Sequence, residues 1–166
     1  MGLWRASVRP SMATSFTKGD IFETVGLHAY AFGSSLDGTM DTGIASVIKK
    51  RWPECAAAYA AHCEATGFDY GDVFVWSSGG VTIFAIGIQK PGEKPRLAAL
   101  HDGLQKMIAL AVEAKVGRIG LPRIGAGPEG LDWTRVRKML REISVDKPVK
   151  LVVFEQFVRA RAAENP

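Results

Sequence analysis

Apolar positions along the chain follow strand spacing and helical spacing in alternation. Strands are predicted in the segment closed by Gly19-Asp20, and over His28–Phe32, Val73–Trp76, Val81–Ile88, Gly117–Leu121 and Val149–Phe154. Helices are predicted over Thr42–Arg51, Glu54–Ala65, Pro95–Ala114 and Asp132–Glu142. Strands that alternate with helices in this way predict the fold class: a three-layer α/β/α sandwich with a mixed central sheet.

Local signals refine this picture. A glycine-rich turn at 77–80 (SSGG) joins two β-branched runs, which predicts an antiparallel hairpin. The closing strand is almost continuously apolar, as expected of a strand buried on both faces. Ile44, Val47 and Ile48 share one face of the first helix, and Thr42 and Asp132 are the predicted N-caps of their helices.

The chain has 166 residues, of which 47% are hydrophobic and 23% charged, so one folded domain is expected rather than disorder. We assign this domain to residues 13–158, with a flexible leader at 1–12 and a tail at 159–166. No apolar run reaches the length of a membrane helix, and the first residues lack the apolar centre of a signal peptide. Cys55 and Cys63 lie outside any zinc-ligand spacing and are interpreted as reduced thiols of a cytoplasmic protein.

A net charge of +4 is compatible with an anionic ligand or weak contact with nucleic acid. The basic residues concentrate on two helices, and we interpret both groups as solvated faces because no aromatic residues are interleaved with them. These residues are Lys49, Lys50, Arg51, Arg135, Arg137, Lys138 and Arg141. Nucleic acid is therefore a possible but not a favoured partner. No carboxylate and histidine cluster predicts a metal, and the three histidines, His28, His62 and His101, are interpreted as structural.

Two glycine-rich segments, at 33–43 and 122–130, follow strands and precede helices. Glycine lets successive N–H groups approach a ligand closely, and a helix N-terminus adds unpaired N–H donors. Such loops can bind a diphosphate without a Walker lysine. Taken alone, the glycines fit tight turns equally well, so both interpretations stay open at this point.

Several segments taken together resemble a known family. They are KGDI at 18–21, MDTGIA at 40–45, LPRIGAG at 121–127, LDW at 131–133 followed by Val136, and a closing strand ending at Phe154. In this order they resemble the macrodomain, an ADP-ribose-binding fold, over about residues 14–155. The form PRIGAG…GLDW, with Ser35 where most macrodomain hydrolases carry asparagine, is similar to the terminal ADP-ribose protein glycohydrolase branch of animals.

This resemblance implies a binding site. Asp20 would accept a hydrogen bond from the adenine amino group, with Ile21 and Phe154 packed on the ring; the alternative for Asp20 is a turn-forming role. The diphosphate and distal ribose would be held by the two glycine loops. The residues implied there are Ser35, Thr42, Gly43, Ile44, Arg123, Ile124, Gly125, Ala126 and Gly127.

The resemblance also implies where the chemistry departs from the family. The lysine nucleophile and the acid/base aspartate of the animal enzyme correspond to Gln89 and Glu129, and Lys90 follows one position too late to point the same way. The candidate catalytic residues are therefore Glu129, Asp41 and Ser35, although Asp41 fits a dipole-stabilising position at a helix N-terminus equally well. Asp37, together with Ser35, is a candidate to orient the distal ribose or a water molecule.

The predicted function is hydrolysis of mono-ADP-ribosyl groups from modified proteins, with glutamate and aspartate esters favoured and O-acetyl-ADP-ribose as a related substrate. The alternatives are a non-catalytic ADP-ribose reader and a hydrolase of ADP-ribosylated nucleic acid. We expect no cofactor, with ADP-ribose as ligand or product. The expected partners are ADP-ribosylated proteins, without a membrane.

Overall fold

A computed structural model describes residues 14–159. The expected leader at 1–12 and all but the first residue of the expected tail lie outside these residues. The strands are β1 (Ser15–Gly19), β2 (Ala29–Ser35), β3 (Val73–Ser78), β4 (Val81–Gln89), β5 (Arg118–Leu121) and β6 (Lys150–Phe157). The helices are α1 (Gly43–Arg51), α2 (Pro53–Thr66), α3 (Leu97–Glu113) and α4 (Trp133–Ile143), and a short 3-10 turn covers Ile21–Glu23.

The six strands form one sheet in the order β1-β6-β5-β2-β4-β3. All neighbouring pairs are parallel except β3 and β4, which form the predicted hairpin. The closing strand, β6, lies between β1 and β5, in agreement with its continuous apolar run. The predicted mixed sheet is therefore confirmed.

Each face of the sheet is covered by a pair of helices. Along β2, Ala29 and Ala31 pack in the cluster that includes apolar residues of α3 and α4, whereas Tyr30 and Phe32 pack in the cluster that includes residues of α1 and α2. This alternation follows from the two-residue period of a strand. It produces the three layers that the sequence predicts.

The structure corrects several predicted boundaries. Residues 33–35 belong to β2 rather than to the first glycine loop, because β2 continues to pair with β4 as far as Ser35. The loop itself is therefore residues 36–42, and we call it the first loop. Gly43 already begins α1; Thr42 occupies the N-cap position but makes no side-chain capping bond. Val47 is 39% exposed, so it does not share the buried face of Ile48.

The end of β4 carries an irregularity that matters for the site. Ser34 pairs with Gly87, but Ser35 pairs with Gln89, so Ile88 is one extra residue on the β4 side. Ile88 is 2% exposed, and a Cβ on Gly33 would overlap its side chain. The bulge thus keeps Ile88 in the core and places Gln89 directly beside Ser35.

Candidate functional site

The carboxyl ends of β2, β5 and β6 lie side by side at one edge of the sheet, and the loops that follow β2 and β5 both begin there. The second loop, residues 122–132, packs into this edge through Ile124, which is 1% exposed and lies near Gly33 of β2. In open α/β sheets, ligands bind at this edge. Both predicted glycine segments therefore lie on one side of the molecule.

The first loop is held by glycine packing and by a polar anchor. Gly38 has φ +86° and lies so close to α2 that a Cβ would be 2.9 Å from Ala60 Cα. Leu36 N–H donates to Gln89 O (2.9 Å), and Met40 is 2% exposed. The loop is therefore fixed at both ends before any ligand arrives.

A buried tyrosine holds the end of β2. The hydroxyl of Tyr59, on α2, donates a shared hydrogen bond to Ser35 O (2.6 Å) and Ser34 Oγ (2.7 Å), and Ser34 Oγ donates to Ile86 O (3.0 Å). Burial raises the pKa of Tyr59, so this hydroxyl keeps its proton at every physiological pH. The role of Tyr59 was not predicted, because nothing in the local sequence of an alanine-rich helix indicates that its hydroxyl reaches the end of β2.

Two predicted polar groups meet just after this anchor. Ser35 Oγ is buried and has no hydrogen-bond partner of ordinary geometry within residues 14–159. Burial raises the pKa of the Asp37 carboxyl, but the N–H and hydroxyl of Thr39 (3.0 and 2.8 Å) and the nearby Ser35 hydroxyl outweigh it, so the pKa is lowered. Asp37 is therefore a fixed anion and a weak base, whereas Ser35 has a hydroxyl to offer a ligand.

The start of α1 presents open backbone donors. The first N–H groups of any helix lack intrahelical acceptors, and Thr42 does not cap them with its side chain. Gly43 has φ +55° and no atom within 4 Å of a Cβ built on it. Ile44, which follows it, is half-buried. The backbone here can approach an anion closely, as the resemblance implies.

Asp41, one of the predicted catalytic residues, points along α1. Its Oδ1 lies 3.3 Å from Lys49 Nζ, and its side chain is 64% exposed. Lys49 therefore compensates the carboxylate on its own helix. This geometry fits the helix-stabilising alternative for Asp41 better than the catalytic one.

The second loop closes on itself. Gly130 N–H donates to Gly127 O (2.8 Å), and Leu131 N–H donates to Gly125 O (2.7 Å). A Cβ at Gly130 would lie 2.5 Å from Gly125 O, so the closure requires glycine. The N–H groups of Gly125 and Gly127 donate to no protein acceptor within the described part of the chain, and Ala126 is half-buried between them.

Glu129 lies at the exposed tip of this loop with φ +60°, a left-handed conformation in which a glutamate is strained by about 1 kcal/mol. Backbone strain of this kind clusters at functional sites. Of the three predicted catalytic residues, Ser35 thus lies at the carboxyl end of β2, and Glu129 lies on the loop that follows the carboxyl end of β5.

Arg123 anchors the second loop to its surroundings. Its guanidinium lies 5.3 Å from the centre of the Trp133 ring, and Trp133 Nε1 donates to Glu155 Oε2 (2.8 Å). This hydrogen bond, followed by contacts with Arg137, lowers the pKa of Glu155. The sequence contained the Trp133 signal, but its partner on β6 could be found only from the fold.

Asp20, Ile21 and Phe154 come together at the ends of β1 and β6. Phe154 lies beside Gly19, with its ring 3.6 Å from a Cβ built there. Ile21 and Phe154 are 6% and 7% exposed, so they form a buried floor rather than an open stacking surface. Asp20 Oδ1 accepts from Phe22 N–H (3.1 Å), which is the turn-forming role weighed above. The adenine role stays a prediction.

At the end of β4, Gln89 occupies the family's lysine position. Its Nε2 donates to Glu93 O (3.3 Å) in the loop that follows. Lys90 is exposed, with its Nζ 5.8 Å from the centre of the Tyr70 ring. The Lys90 ammonium therefore lies near Tyr70 and does not take the place of the family's lysine beside Ser35.

Other predicted features lie elsewhere. His62 contacts the rings of Phe68 and Phe74, and His101 Nδ1 lies 3.5 Å from Asp102. The cations of α4 were predicted to form a solvated face, but Arg137 is half-buried, and its guanidinium lies 3.9 Å from the centre of the Phe16 ring. The two cysteines are free and buried.

Two negative findings concern residues 14–159. No helix among them is long and apolar enough to cross a membrane. No group of three or more His, Cys, Asp or Glu side chains in this range is arranged to hold a metal ion.

The structure defines a three-layer α/β/α protein with two glycine-rich loops at the carboxyl ends of its parallel strands. The macro domain family model matches residues 34–140, and the chain therefore belongs to the macro domain family. This confirms the resemblance on which the predicted site depends.

Individual relatives agree. The chain is 28% identical over 157 residues to a DNA ADP-ribosyl glycohydrolase of Thermus aquaticus, a match that covers 91% of this chain and 42% of that protein. It is 26% identical over 141 residues to the human ADP-ribose glycohydrolase OARD1, covering 84% of this chain and 90% of that one. The solved macrodomain of Thermus aquaticus DarG superposes with a TM-score of 0.77 at 26% identity, covering 86% and 97% of the two chains. This chain spans about two fifths of the length of the relatives named for DNA.

Proposed function

We propose that this protein binds ADP-ribose in the cleft between the first and second loops and hydrolyses the bond that joins it to a modified macromolecule. The observation that carries the proposal is the placement of Ser35, whose buried hydroxyl is available, at the carboxyl end of β2, and of Glu129 on the second loop, whose N–H groups at Gly125 and Gly127 have no protein acceptor within residues 14–159. Family membership and relatives named as glycohydrolases support it.

The favoured linkage is an ester between the distal ribose and a glutamate or aspartate side chain of a protein. A carboxylate is a good leaving group, so hydrolysis of this ester depends less on an enzyme nucleophile, and the site can act with Gln89 in place of the lysine. O-acetyl-ADP-ribose carries the same kind of ester. In this proposal ADP-ribose is the ligand or product, and no cofactor takes part.

The proposed step uses water as the nucleophile. Water attacks the anomeric carbon of the distal ribose, the bond from this carbon to the ester oxygen breaks, and the carboxylate leaves as an anion. Glu129 takes the proton from the attacking water and later releases it to solvent. Ser35 orients the ribose or the water. Asp37 stays ionised throughout, because its pKa is lowered.

A second candidate is hydrolysis of ADP-ribose from DNA. It is favoured by the relatives of Thermus aquaticus and Mycobacterium tuberculosis, both named as DNA ADP-ribosyl glycohydrolases. The binding site for ADP-ribose would be the same, and only the group that leaves from the anomeric carbon would differ.

The experiment measures release of ADP-ribose from a glutamate-modified protein and from a modified single-stranded oligonucleotide, with calorimetric binding of free ADP-ribose alongside. We expect Glu129→Gln to reduce kcat by about 100-fold or more, as loss of a general base does, with the Kd for ADP-ribose unchanged. Asp41→Asn should keep most activity. The matched control is Glu113→Gln, at the end of α3 away from both loops.

Each outcome has a defined meaning. Turnover of one substrate only would identify the linkage. Tight binding of ADP-ribose without turnover of either substrate would show a non-catalytic reader. Absence of ADP-ribose binding would refute the proposal as a whole.

A further inference from the structure

A group of cations and one aromatic ring lies beside the reacting end of the proposed cleft. The guanidinium of Arg96 stacks on the Tyr70 ring at 3.8 Å from its centre, and Lys90 Nζ lies 5.8 Å from the same centre. Lys94 is exposed in the same loop. We call Tyr70, Lys90, Lys94 and Arg96 the Tyr70 platform.

The platform is rigid because its acidic neighbours hold the ring. Tyr70 OH donates to Glu93 Oε2 (2.9 Å), and Tyr70 N–H donates to Asp69 Oδ1 (2.7 Å). Lys90, Lys94 and Arg96 are exposed, and these three cations outnumber the two carboxylates of Asp69 and Glu93. The platform therefore carries a local excess of one positive charge.

Backbone bonds connect this platform to the cleft. Arg96 N–H donates to Ile88 O (2.9 Å), Gln89 Nε2 donates to Glu93 O (3.3 Å), and Gln89 O accepts from Leu36 N–H (2.9 Å). Since Gln89 pairs with Ser35, Lys90 lies one residue beyond the strand position beside Ser35. If the distal ribose is bound at Ser35, as proposed, a polymer attached to it would pass close to this loop.

A stacked guanidinium and aromatic ring flanked by lysines fits one class of polymer best. Unpaired nucleobases stack on aromatic rings and on Arg guanidinium planes, and the adjoining phosphates pair with Lys and Arg. An acidic peptide would use the positive charges but would have no use for the planar surface. No local pattern indicated this surface, because Tyr70 precedes β3 and meets the loop of Lys90, Lys94 and Arg96 only in the folded protein.

We infer that the Tyr70 platform binds the single-stranded nucleic acid that flanks an ADP-ribosylated nucleotide held in the cleft. This inference rests on the proposed binding of ADP-ribose in the cleft, supports the second candidate substrate, nucleic acid, over a protein ester, and assigns a separate site to the polymer. Arg96 and Tyr70 stack with a flanking base, and Lys90 and Lys94 contact its phosphates.

The test compares a platform variant with a variant of equal charge change at the opposite edge of the sheet. The platform variant is K90Q/K94Q/R96Q. The control is K115Q/R118Q/K147Q, whose residues lie in the segments that precede or begin β5 and β6 and are all exposed. Tyr70→Ala removes the ring separately. Affinity is measured for free ADP-ribose, for a modified single-stranded oligonucleotide in the Glu129→Gln background, and for the unmodified oligonucleotide.

We expect the platform variant to bind the modified oligonucleotide on the order of tenfold or more weakly, and Tyr70→Ala to show a similar loss. The slope of log Kd against log salt should fall by about 1.4, because the two phosphate contacts of Lys90 and Lys94 are lost and each single-strand phosphate contact contributes about 0.7. Affinity for free ADP-ribose and all properties of the control should stay within about twofold of the parent protein, less than 0.5 kcal/mol.

The inference is overturned if the modified oligonucleotide binds no more tightly than free ADP-ribose, or if both triple variants weaken it equally; the proposed function would then stand alone. It is also overturned if the platform variant impairs only a modified protein, which would assign the surface to a peptide. If ADP-ribose does not bind at all, the proposed function fails, and loss of unmodified oligonucleotide binding in the platform variant alone still supports the platform. Retention of that binding overturns it.

Discussion

Replacing Tyr59 with phenylalanine removes a single oxygen atom from the buried anchor of the first loop. The ring keeps its packing against Phe32, Phe68 and Phe74, but Ser35 O loses the donor 2.6 Å away. A buried carbonyl left without its partner costs about 1–3 kcal/mol. For a domain of this size that lowers Tm by about 3–10 °C.

The same substitution should also weaken the binding of ADP-ribose, because the anchor positions Ser35. If about 1 kcal/mol of the binding free energy must be spent on restoring the position of Ser35 and the first loop, the Kd for ADP-ribose rises about fivefold. The pKa of Tyr59 is raised by burial, so the effect should be the same at pH 6 and pH 9. Calorimetry with free ADP-ribose and thermal unfolding of the same samples measure both quantities.

Tyr30 provides the matched control. Tyr30 is also buried, and it lies on β2, the strand that ends at Ser35. Its hydroxyl donates to a backbone carbonyl, Leu27 O (2.9 Å), near the amino end of that strand. Tyr30→Phe should destabilise the protein by a similar amount without changing Kd. The reasoning is refuted if Tyr59→Phe unfolds earlier yet binds ADP-ribose like the parent protein, or if both variants weaken binding equally.

Two further predictions concern the loops and the acid side of stability. Gly38→Ala should lower the free energy of unfolding by about 2–4 kcal/mol, because it adds a clash with Ala60 to the strain of a positive φ. Gly79→Ala, which has a positive φ but open space around its Cβ, should lower it by only about 1 kcal/mol. Equal losses for the two variants in urea unfolding would contradict this. The pKa of Glu155 is lowered chiefly by the hydrogen bond from Trp133, so its contribution to stability is present above the unfolded-state pKa, about 4.3, and is lost as pH falls through the folded-state value. Glu155→Gln should therefore lower Tm at pH 7 and reduce the further drop in Tm between pH 7 and pH 3; an unchanged drop would show that this carboxyl does not contribute.

Periodicity was sufficient to predict the elements of the fold. The helix that became α3 and the hairpin of β3 and β4 have strong local patterns, and both lie within two residues of their predicted bounds. The end of β2 was predicted too early because Gly33, Ser34 and Ser35 have loop composition. They form a strand because β4 pairs with them and Tyr59 binds them from another element.

The parts of the candidate site that lie within one segment of the sequence were predictable. Asp132 caps α4 as expected, with Oδ1 accepting from Thr134 N–H (3.0 Å), and both glycine loops lie at the predicted edge. Interactions between distant segments were not visible in the sequence. The bulge at Ile88, the contact of Trp133 with Glu155 and the Tyr70 platform all depend on register and packing that no local pattern encodes.

The pairing of β1 with β6 joins the first and last strands of the sheet, and β1 has no other strand neighbour within residues 14–159. During synthesis, β2, β3 and β4 can pair before the residues of β6 exist, so β1 remains unpaired until then. Asp20 and Phe154 therefore come together late. A chain that stops before Lys150 would keep both glycine loops but would leave β1 without its partner, so the far end of the proposed ligand site forms only after residues 150–157 have been made.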